Sequence, residues 1–440
     1  MTEVLMDAAR VIAHALRAAG HEVWLVGGCV RDRLLGRPLS DIDLTTSATP
    51  AELLRLFPGS DSVGAHFGVV LIDQGGGPIE VATYRSESSY ADGRHPGAVR
   101  FETDVRRDLA RRDFTINALL ADPFTGEVVD LVGGRADLDA RLIRAFGEPA
   151  ERFAEDHLRL LRAVRFAAGL GFDIEAVTFA AIQQFAPEIV RIAAERIRDE
   201  LTRMLTGGGA RRAFELLDAT GLLAALLPEV DRMHGIEQPA SYHPEGDVWV
   251  HTLGLLERLE QPSVELALAA LLHDVGKPPT QTFEDRIRFS GHEEVGARMT
   301  REILSRLKYP NGVIDAVVAL VRQHMMFKDV PHMGESRFRR FVRQPGFESL
   351  LDLHRLDLLA ADRPLESLKM VSSRRDSIPP EQLRPAPLAN GDDLIALGAR
   401  PGPRFGAILH QLEDAQLEGR IVTRAEALEF LRRAWAQSST

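Results

Sequence analysis

The stretch LVGGCVRDRLLGRPLSDIDLTT, residues 25–46, decides the reading of this chain. The apolar run Val23–Val26 enters the pair Gly27-Gly28, and a short helical segment, VRDRLLG, follows. A glycine turn that opens a helix exposes backbone N–H groups and the positive helix end, a ready phosphate site. Arg31 stands in the first turn, within reach of a triphosphate. The plainer alternative is a tight strand–helix turn and nothing more. Thirteen residues on, Asp41 and Asp43 lie two apart in an extended segment. An extended chain sends residues i and i+2 to one side, so both carboxylates point the same way. Hard oxygen ligands on one side suit Mg²⁺, which takes one or two carboxylates plus substrate phosphates. Two such ions, roughly 3.5–4 Å apart, activate an attacking hydroxyl and stabilise a leaving pyrophosphate. An isolated Asp-x-Asp is usually a pair of solvated loop acids. Beside a phosphate turn and an arginine, it predicts a metal-dependent nucleotidyl-transfer centre. Glu80, in PIEVATYR (78–85), supplies a third acid, orients the attacking hydroxyl, or simply faces solvent.

The rest of the chain is consistent with such a centre. Its 440 residues, 45% hydrophobic, suffice for several cores and two to four domains. A net charge of −11 argues against a surface coated for non-specific nucleic-acid binding, but leaves room for a local basic groove. Positive charge is nearly all arginine, the residue suited to bidentate contacts with phosphates and base edges; the lysines are Lys277, Lys308, Lys328 and Lys369. The single cysteine, Cys29, excludes an intrachain disulfide and argues against a cysteine-built zinc site. The N-terminus reads as an amphipathic helix, not a signal peptide. No apolar run reaches the roughly 18–20 residues that span a bilayer. The expected compartment is the cytoplasm, with no membrane association.

The first 145 or so residues mix strands and helices, including HFGVVLID (66–73) and PIEVATYR as strands about a glycine turn. Between the strands and RRDFTINA, the segment YRSESSYADGRHPGAVRF (84–101) carries the Gly, Pro and charges of a mobile loop. From about Glu151 the pattern is helix after helix, beginning with ERFAEDHLRLLRAVRFAAGL (151–170) as a single helix. The stretch HGIEQPASYHPEGDVW (234–249) marks a boundary, and SSRRDSIPPEQLRPAPL (372–388) a linker. The expected fold is α+β: a small mixed sheet with helices over 1–145, then all-α segments over 146–232, 233–375 and 376–440.

Four segments now carry a resemblance. LVGGCVRDRLLGRPLSDIDLTT and RRDFTINALLADPFTGEVVDLVGG (111–134) look like the first motifs of the class II CCA-adding enzymes and bacterial poly(A) polymerases. AEDHLRLLRAVRFA (154–167) and AAERIRDELTRML (193–205) are similar to later motifs of the same family, in the same order. The resemblance implies a nucleotidyltransferase palm followed by a neck and body. It implies phosphate contacts from Gly28 and Arg31, Mg²⁺ at Asp41 and Asp43, and a nucleotide contact from Arg112 with Arg111 beside it. Asp113 and Asn117 would brace this segment around the sugar, or serve only as a structural cap. A loop at 84–101 is implicated in the family in switching from C to A addition, and its full length here disfavours a CC-only enzyme.

Asp156 and Arg159 also suggest a role by chemistry. Three apart on a helix, they share a face. An aspartate accepts from an exocyclic amine, and an arginine donates to a ring nitrogen or carbonyl. Cytosine and adenine both present an amine next to an acceptor; uracil and guanine place a carbonyl where the amine should be. One Asp/Arg pair therefore admits CTP and ATP and rejects the others, strongly if the edge is buried. The resemblance assigns the same two positions. Arg162 and Arg165 continue the stripe toward the base or phosphates, unless they form a salt-bridged helix face.

The histidines cluster later. LALAALLHDVGKP (266–278) is an apolar helix ending in His273-Asp274, and a buried Asp beside a His is costly unless paired or metal-bound. The spacing resembles the HD superfamily of metal-dependent phosphohydrolases. By that resemblance His251, His273, Asp274 and Asp357 make the core site, with Asp352 and Asp362 as competitors for the last place. His292 and His324 would allow a second metal. Nitrogen and oxygen ligands suit Mn²⁺, Fe²⁺, Ni²⁺ or Zn²⁺. An HD domain of this kind implies phosphatase or phosphodiesterase activity, or an inactive scaffold. The segment from Pro387 is similar to the tail of bacterial CCA-adding enzymes, where GARPGPRFG (398–406) either touches RNA phosphate or only joins two helices.

The expected reaction is templateless addition of C and A to the tRNA 3′ end from CTP and ATP, with no obligate protein partner. Its rivals are an A-adding enzyme with a separate CC-adding partner, a poly(A) polymerase, and an RNA-end phosphohydrolase.

Overall fold

The computed structural model describes residues 2–39, 41–61, 68–90, 96–239, 244, 246–283 and 286–437. They form two compact units: Met1–Asp231 with Arg306–Tyr309, and Arg232–Ser305 with Pro310–Thr440. No described helix is long and apolar enough to cross a membrane.

In the first unit, helix α1 (Thr2–Ala18) buries Ala9, Ile12, Ala13 and Leu16. That spacing is one stripe of a 3.6-residue period. The unit's first eight strands are β1 (Val23–Val26), β2 (Asp43–Thr46), β3 (Val69–Asp73), β4 (Pro78–Thr83), β5 (Arg85–Tyr90), β6 (Pro96–Phe101), β7 (Leu120–Ala121) and β8 (Val128–Val129). Six of them make one sheet in the order β3-β4-β2-β1-β7-β8. All its neighbours are antiparallel except β2 and β4, which run parallel. The register sets Leu25 opposite Leu44 and Asp43 opposite Glu80. Two acids on adjacent strands thus stand side by side at the sheet's functional end. Helices α2 (Gly28–Leu34), α3 (Pro50–Leu56), α4 (Val105–Ala110) and α5 (Gly134–Asp139) complete this part. Thr49 starts α3 with a reciprocal cap to Glu52.

Two expectations are corrected here. Within the expected loop, β5 and β6 pair as a two-stranded antiparallel ribbon, with Arg85 opposite Phe101. Its base is closed by the Glu102 N–H, which donates to the Tyr84 carbonyl at 2.8 Å. Residues 91–95 lie outside the described residues, as do 240–243 and 245 in the expected boundary stretch. The helix expected over 151–170 is two helices, α6 (Pro149–Glu155) and α7 (Leu158–Leu170). Asp156 sits between them in an extended conformation (φ −145°, ψ 102°). Its carboxylate accepts from the Leu158 N–H at 3.0 Å, starting α7. Aspartate competes for backbone N–H groups and so favours helix starts over helix interiors.

Helices α8 (Ala176–Phe185), α9 (Ala194–Thr206), α10 (Ala210–Ala219), α11 (Leu222–Leu226) and α12 (Pro228–Asp231) finish the first unit. The second contains α13 (Val248–Glu257), α14 (Val264–Leu272), α15 (Lys277–Thr280), α16 (His292–Arg306), α17 (Asn311–Gln323), α18 (Glu335–Arg343), α19 (Phe347–Ala360), α20 (Glu366–Asp376), α21 (Pro380–Leu383), α22 (Gly391–Ala396), α23 (Pro403–Leu417) and α24 (Arg424–Gln437). Ala267 to Leu272 are all buried, so α14 is a central helix, apolar all round. The last three helices close over their own core of Leu394, Ile408, Leu412 and Leu431.

Candidate active sites

In the first unit the turn between β1 and α2 needs its glycine. Gly27 has φ 79° and ψ −134°, a conformation that side-chain-bearing residues avoid. A Cβ there would stand 3.5 Å from Arg112 and 4.0 Å from Asp43 Oδ2. The turn therefore lies directly against the acidic pair. Burial first, then the carboxylates of Glu80 and Asp41, push the Asp43 carboxyl up to about 7, with Arg112 pulling the other way. Three carboxylates that repel one another at the end of a sheet fit a divalent cation, which would relieve the repulsion. Cys29 packs behind them, its thiol near the Asp43 carbonyl, and burial pushes it up to about 11.

A cleft of about 620 Å³ opens over this corner. It is lined by all eleven sequence-predicted residues of the first site: Gly27, Gly28, Arg31, Asp41, Asp43, Arg111, Arg112, Asp156, Arg159, Arg162 and Arg165. Nine arginines and six carboxylates, Glu80 among them, line it, so the cleft is cationic although the chain is acidic. The arginines are held in place by buried acids. Asp108 is fully buried and takes Arg111 at 2.7 Å and Arg112 at 3.2 Å, an i+3 and an i+4 pair on α4 and its end. Those two guanidinium groups outweigh burial and hold its carboxyl below the usual range. Arg162 pairs with Asp113 at 2.6 Å. The Asn117 amide donates to Asp113 at 3.1 Å, and its oxygen accepts from Arg31 at 2.7 Å. Asp113 and Asn117 thereby tie α7 to α2 across the cleft. Arg165 pairs with Glu200 at 2.5 Å and stacks on the Phe166 ring at 4.2 Å.

Asp156 and Arg159 do not share a helix face, because Asp156 precedes α7. Both still line the cleft, each held by partners of its own. Arg196, on α9, grips Asp156 at 2.9 Å and 3.3 Å. Arg159 donates to Glu155 at 2.6 Å and to the carbonyls of Arg152 and Arg111, each at 2.8 Å. Each group is thus oriented by partners that leave some of its capacity unused. Arg196, Asp108, Phe166 and Glu200 were given no role in the sequence reading. Asp108 had a visible signal, an acid one turn before two arginines. The Asp156–Arg196 pair joins positions forty apart, beyond any local spacing.

The second unit gathers all six sequence-predicted ligands. His251 comes from α13, His273 and Asp274 from the end of α14, His292 from the start of α16, His324 from the end of α17, and Asp357 from α19. They form two adjoining triads, His251/His273/Asp357 and Asp274/His292/His324. Asp357 lies 3.0 Å from His251 Nε2, whereas Asp352 is exposed beside Arg355. Nδ1 of His273, His292 and His324 faces a backbone carbonyl at 3.0, 2.8 and 2.6 Å. A carbonyl only accepts, so each Nδ1 carries the proton and each Nε2 a lone pair. The Nε2 atoms of His292 and His324 face each other at 3.2 Å, an arrangement that fits a shared cation. Burial pushes His324 down to about 3, so it is neutral and ready to ligate. Lys277 contacts Asp274 at 2.6 Å and donates to Gln238 at 2.6 Å. Gly276 is set against α16: a Cβ there would lie 2.1 Å from the His292 carbonyl oxygen and 2.6 Å from the Gly296 nitrogen.

Three family models match the chain. They are the poly A polymerase head domain over residues 23–144, the probable RNA and SrmB-binding site of polymerase A over 171–233, and the HD domain over 247–430. The CCA-adding enzyme of Lactiplantibacillus plantarum is 34% identical over 98% of this chain and 97% of its own. The CC-adding tRNA nucleotidyltransferase of Thermus thermophilus is 35% identical, covering 92% of each. The crystal structure of the Bacillus stearothermophilus CCA-adding enzyme in complex with CTP superposes with a TM-score of 0.74 at 29% identity, over 99% of this chain and 98% of that one. Both kinds of domain typically bind divalent metals, and the histidine–aspartate cluster of the second unit supplies ligand groups that could hold them.

Proposed function

The chain belongs to the family of the CCA-adding enzymes, and we propose from that premise that it completes the 3′ end of tRNA by adding C and A from CTP and ATP without a template. The observation that carries this reading is the single cleft that brings Asp41, Asp43 and Glu80 together with Asp156 and Arg159. The tRNA 3′ oxygen forms a bond to the α-phosphorus, the bond to the β-phosphate oxygen breaks, and pyrophosphate leaves. Asp41 and Asp43 hold Mg²⁺, with Glu80 as the third acid beside them. When bound, the ions acidify the attacking hydroxyl and neutralise charge on the phosphates. Gly28, Arg31 and Arg112 orient the triphosphate, with Gly27 making the turn and Arg111 supporting Arg112. Asp156 accepts from the amine of cytosine or adenine, and Arg159 donates to the neighbouring ring nitrogen. Uracil and guanine would leave both groups unpaired in a desolvated site, the condition for strong rejection. Arg162 and Arg165 line the path between base and phosphates.

We assign 1–145 to the palm, 146–232 to the neck and body, 233–375 to the HD segment and 376–440 to a tail that contacts tRNA. The place of action is the cytoplasm.

The test is a tRNA lacking its 3′ end, incubated with CTP alone, ATP alone, then both, with the products sequenced. C is expected to enter first and A only after two C. Addition of A only to tRNA already ending in CC identifies an A-adding enzyme, and C without A a CC-adding one. Long A tracts identify a poly(A) polymerase. Asp41→Ala with Asp43→Ala is expected to abolish all addition; continued extension by that variant refutes the assignment.

A second activity is favoured by the six-ligand cluster with its converging Nε2 atoms. We read it as a phosphohydrolase site holding Mn²⁺, Fe²⁺, Ni²⁺ or Zn²⁺, acting on phosphate esters such as 3′ or 2′,3′-cyclic phosphates of RNA ends. Metal-dependent phosphate release from these, unaffected by the Asp41→Ala/Asp43→Ala changes, is the expected result. A purified protein with neither metal nor release would mark the cluster as an inactive scaffold.

A further inference from the structure

A second cavity, of about 280 Å³, adjoins the large cleft along one wall, sharing Arg31, Asp32, Arg165, Phe166 and Arg203 with it. Beyond that wall it is lined by Arg37 and the backbones of Gly169 and Gly208. Four guanidinium groups face one carboxylate, Asp32. Arg31 and Arg165 both lie over the Phe166 ring, at 5.2 and 4.2 Å. Stacking occupies the guanidinium faces; Arg31 also donates Nε and Nη2 to Asp32 and Nη1 to Asn117, and Arg165 donates Nε to Glu200, so the second hydrogens of their Nη groups are what can meet an anion. Arg37 is anchored by one bond, from a guanidinium nitrogen to the Gly169 carbonyl at 3.0 Å.

The floor is kept wide. Gly169 lies within α7, where glycine costs roughly 1 kcal/mol against alanine. Yet a Cβ at Gly169, or at Gly208, would meet nothing within 4 Å. Packing therefore requires neither glycine; Gly208 has φ 87°, which favours glycine on backbone grounds, whereas at Gly169 the open space beside the arginines is what an added side chain would take.

The position gives the ligand. The base-reading pair marks the N-terminal end of α7, and Gly169 lies ten residues beyond Arg159, about 15 Å along the axis. Arg31, the expected phosphate contact, stands between. A nucleotide laid in the large cleft with its base at Arg159 and its phosphates at Arg31 brings its β,γ end to the shared wall, at the mouth of this cavity. Asp41, Asp43 and Glu80, where the attacking hydroxyl must come, line the large cleft and not this one.

We propose that this arginine-lined cavity is a pyrophosphate subsite, separate from the seat of the incoming triphosphate, that receives the leaving group on its way out. The subsite rests on nucleotide transfer taking place in the large cleft.

The test is calorimetric titration of inorganic pyrophosphate into the full-length protein already saturated with α,β-methylene CTP, which cannot transfer. Pyrophosphate is expected to bind the loaded protein. Arg37→Ala, which removes a charge, and Gly169→Leu, which fills the space, are each expected to weaken that binding at least tenfold. Neither residue lines the large cleft, so affinity for the analogue and for truncated tRNA should stay within twofold. Absence of pyrophosphate binding to the loaded wild type overturns the subsite, as does unchanged affinity in both variants. Weaker tRNA binding with unchanged pyrophosphate affinity also overturns it, and makes the cavity an RNA-phosphate contact. Failure of the analogue itself to bind would refute the nucleotide-transfer reading instead, a separable result.

Discussion

Arg196 holds the Asp156 carboxylate at 2.9 Å from a point forty residues further along the chain. The acid proposed to read the base is therefore aimed by a different helix from the one that it starts.

Removing that grip should impair selection more than folding. For Arg196→Ala the KM for CTP and ATP is expected to rise roughly ten- to a hundredfold, the worth of a charged hydrogen bond. Incorporation of U and G should rise with it. Arg196→Lys keeps the charge but loses the two-pronged contact, and should recover selection only in part. Competition assays with mixed nucleotides measure both.

Asp108 is a folding matter. Its two arginine partners are only 18% and 17% exposed, so deleting the acid strands buried positive charge. Asp108→Ala is expected to cost roughly 3–5 kcal/mol in denaturant unfolding of the first unit. Asp108→Asn should cost less and still slow nucleotide addition, since Arg112 would lose its anchor.

His354 gives the second unit a pH dependence. The ring stacks flat on Phe327 at 4.1 Å, and burial pushes its pKa down to about 4. The unfolded chain, near 6.5, binds the proton more readily. Stability from this group is therefore complete above about pH 6.5 and is lost as pH falls toward 4. His354→Gln should flatten the acid limb by roughly 3 kcal/mol relative to wild type over that window, read from unfolding at several pH values.

The metal count separates the two triads. Wild-type protein is expected to carry up to two ions per chain in the second unit, and His324→Ala at most one, by elemental analysis with the Asp41→Ala/Asp43→Ala background removing any Mg²⁺. Loss of both ions from His324→Ala would mean a single shared site. Addition of nucleotides to tRNA by His324→Ala in the otherwise native chain should match wild type.

Much of this was legible in residue order because the chemistry is local. Gly27-Gly28 make one turn, Asp41 and Asp43 stand just before and at the start of one strand, and Arg162 and Arg165 follow helical spacing. His273 and Asp274 stand at the end of an apolar helix that has to be central. What was not legible depends on the competition between local and distant partners. The run from Glu151 to Leu170 has helical periodicity throughout, but Asp156 gains both a helix cap and an arginine by leaving the helix. Residues 84–101 have loop composition, yet opposite edges of a ribbon pair their backbones whatever the side chains. The ligand Asp357 was one of three candidates by spacing, and only the packing of α19 against α13 brings it to His251.

The contact at Gly276 has a further consequence. There the chain meets α16 main chain to main chain, with no side chain between to adjust its rotamer. The separation of Asp274 from His292 is therefore set by the stiffness of the polypeptide itself. An ion arriving here finds its seat already assembled, unlike a zinc finger, which folds around its metal. Stripping the ion should then leave the helices in place and lower the melting temperature only by the lost binding energy, with the same sharp transition. The entropy of ordering the ligands is met when the protein folds, so metal can come and go without remaking the domain.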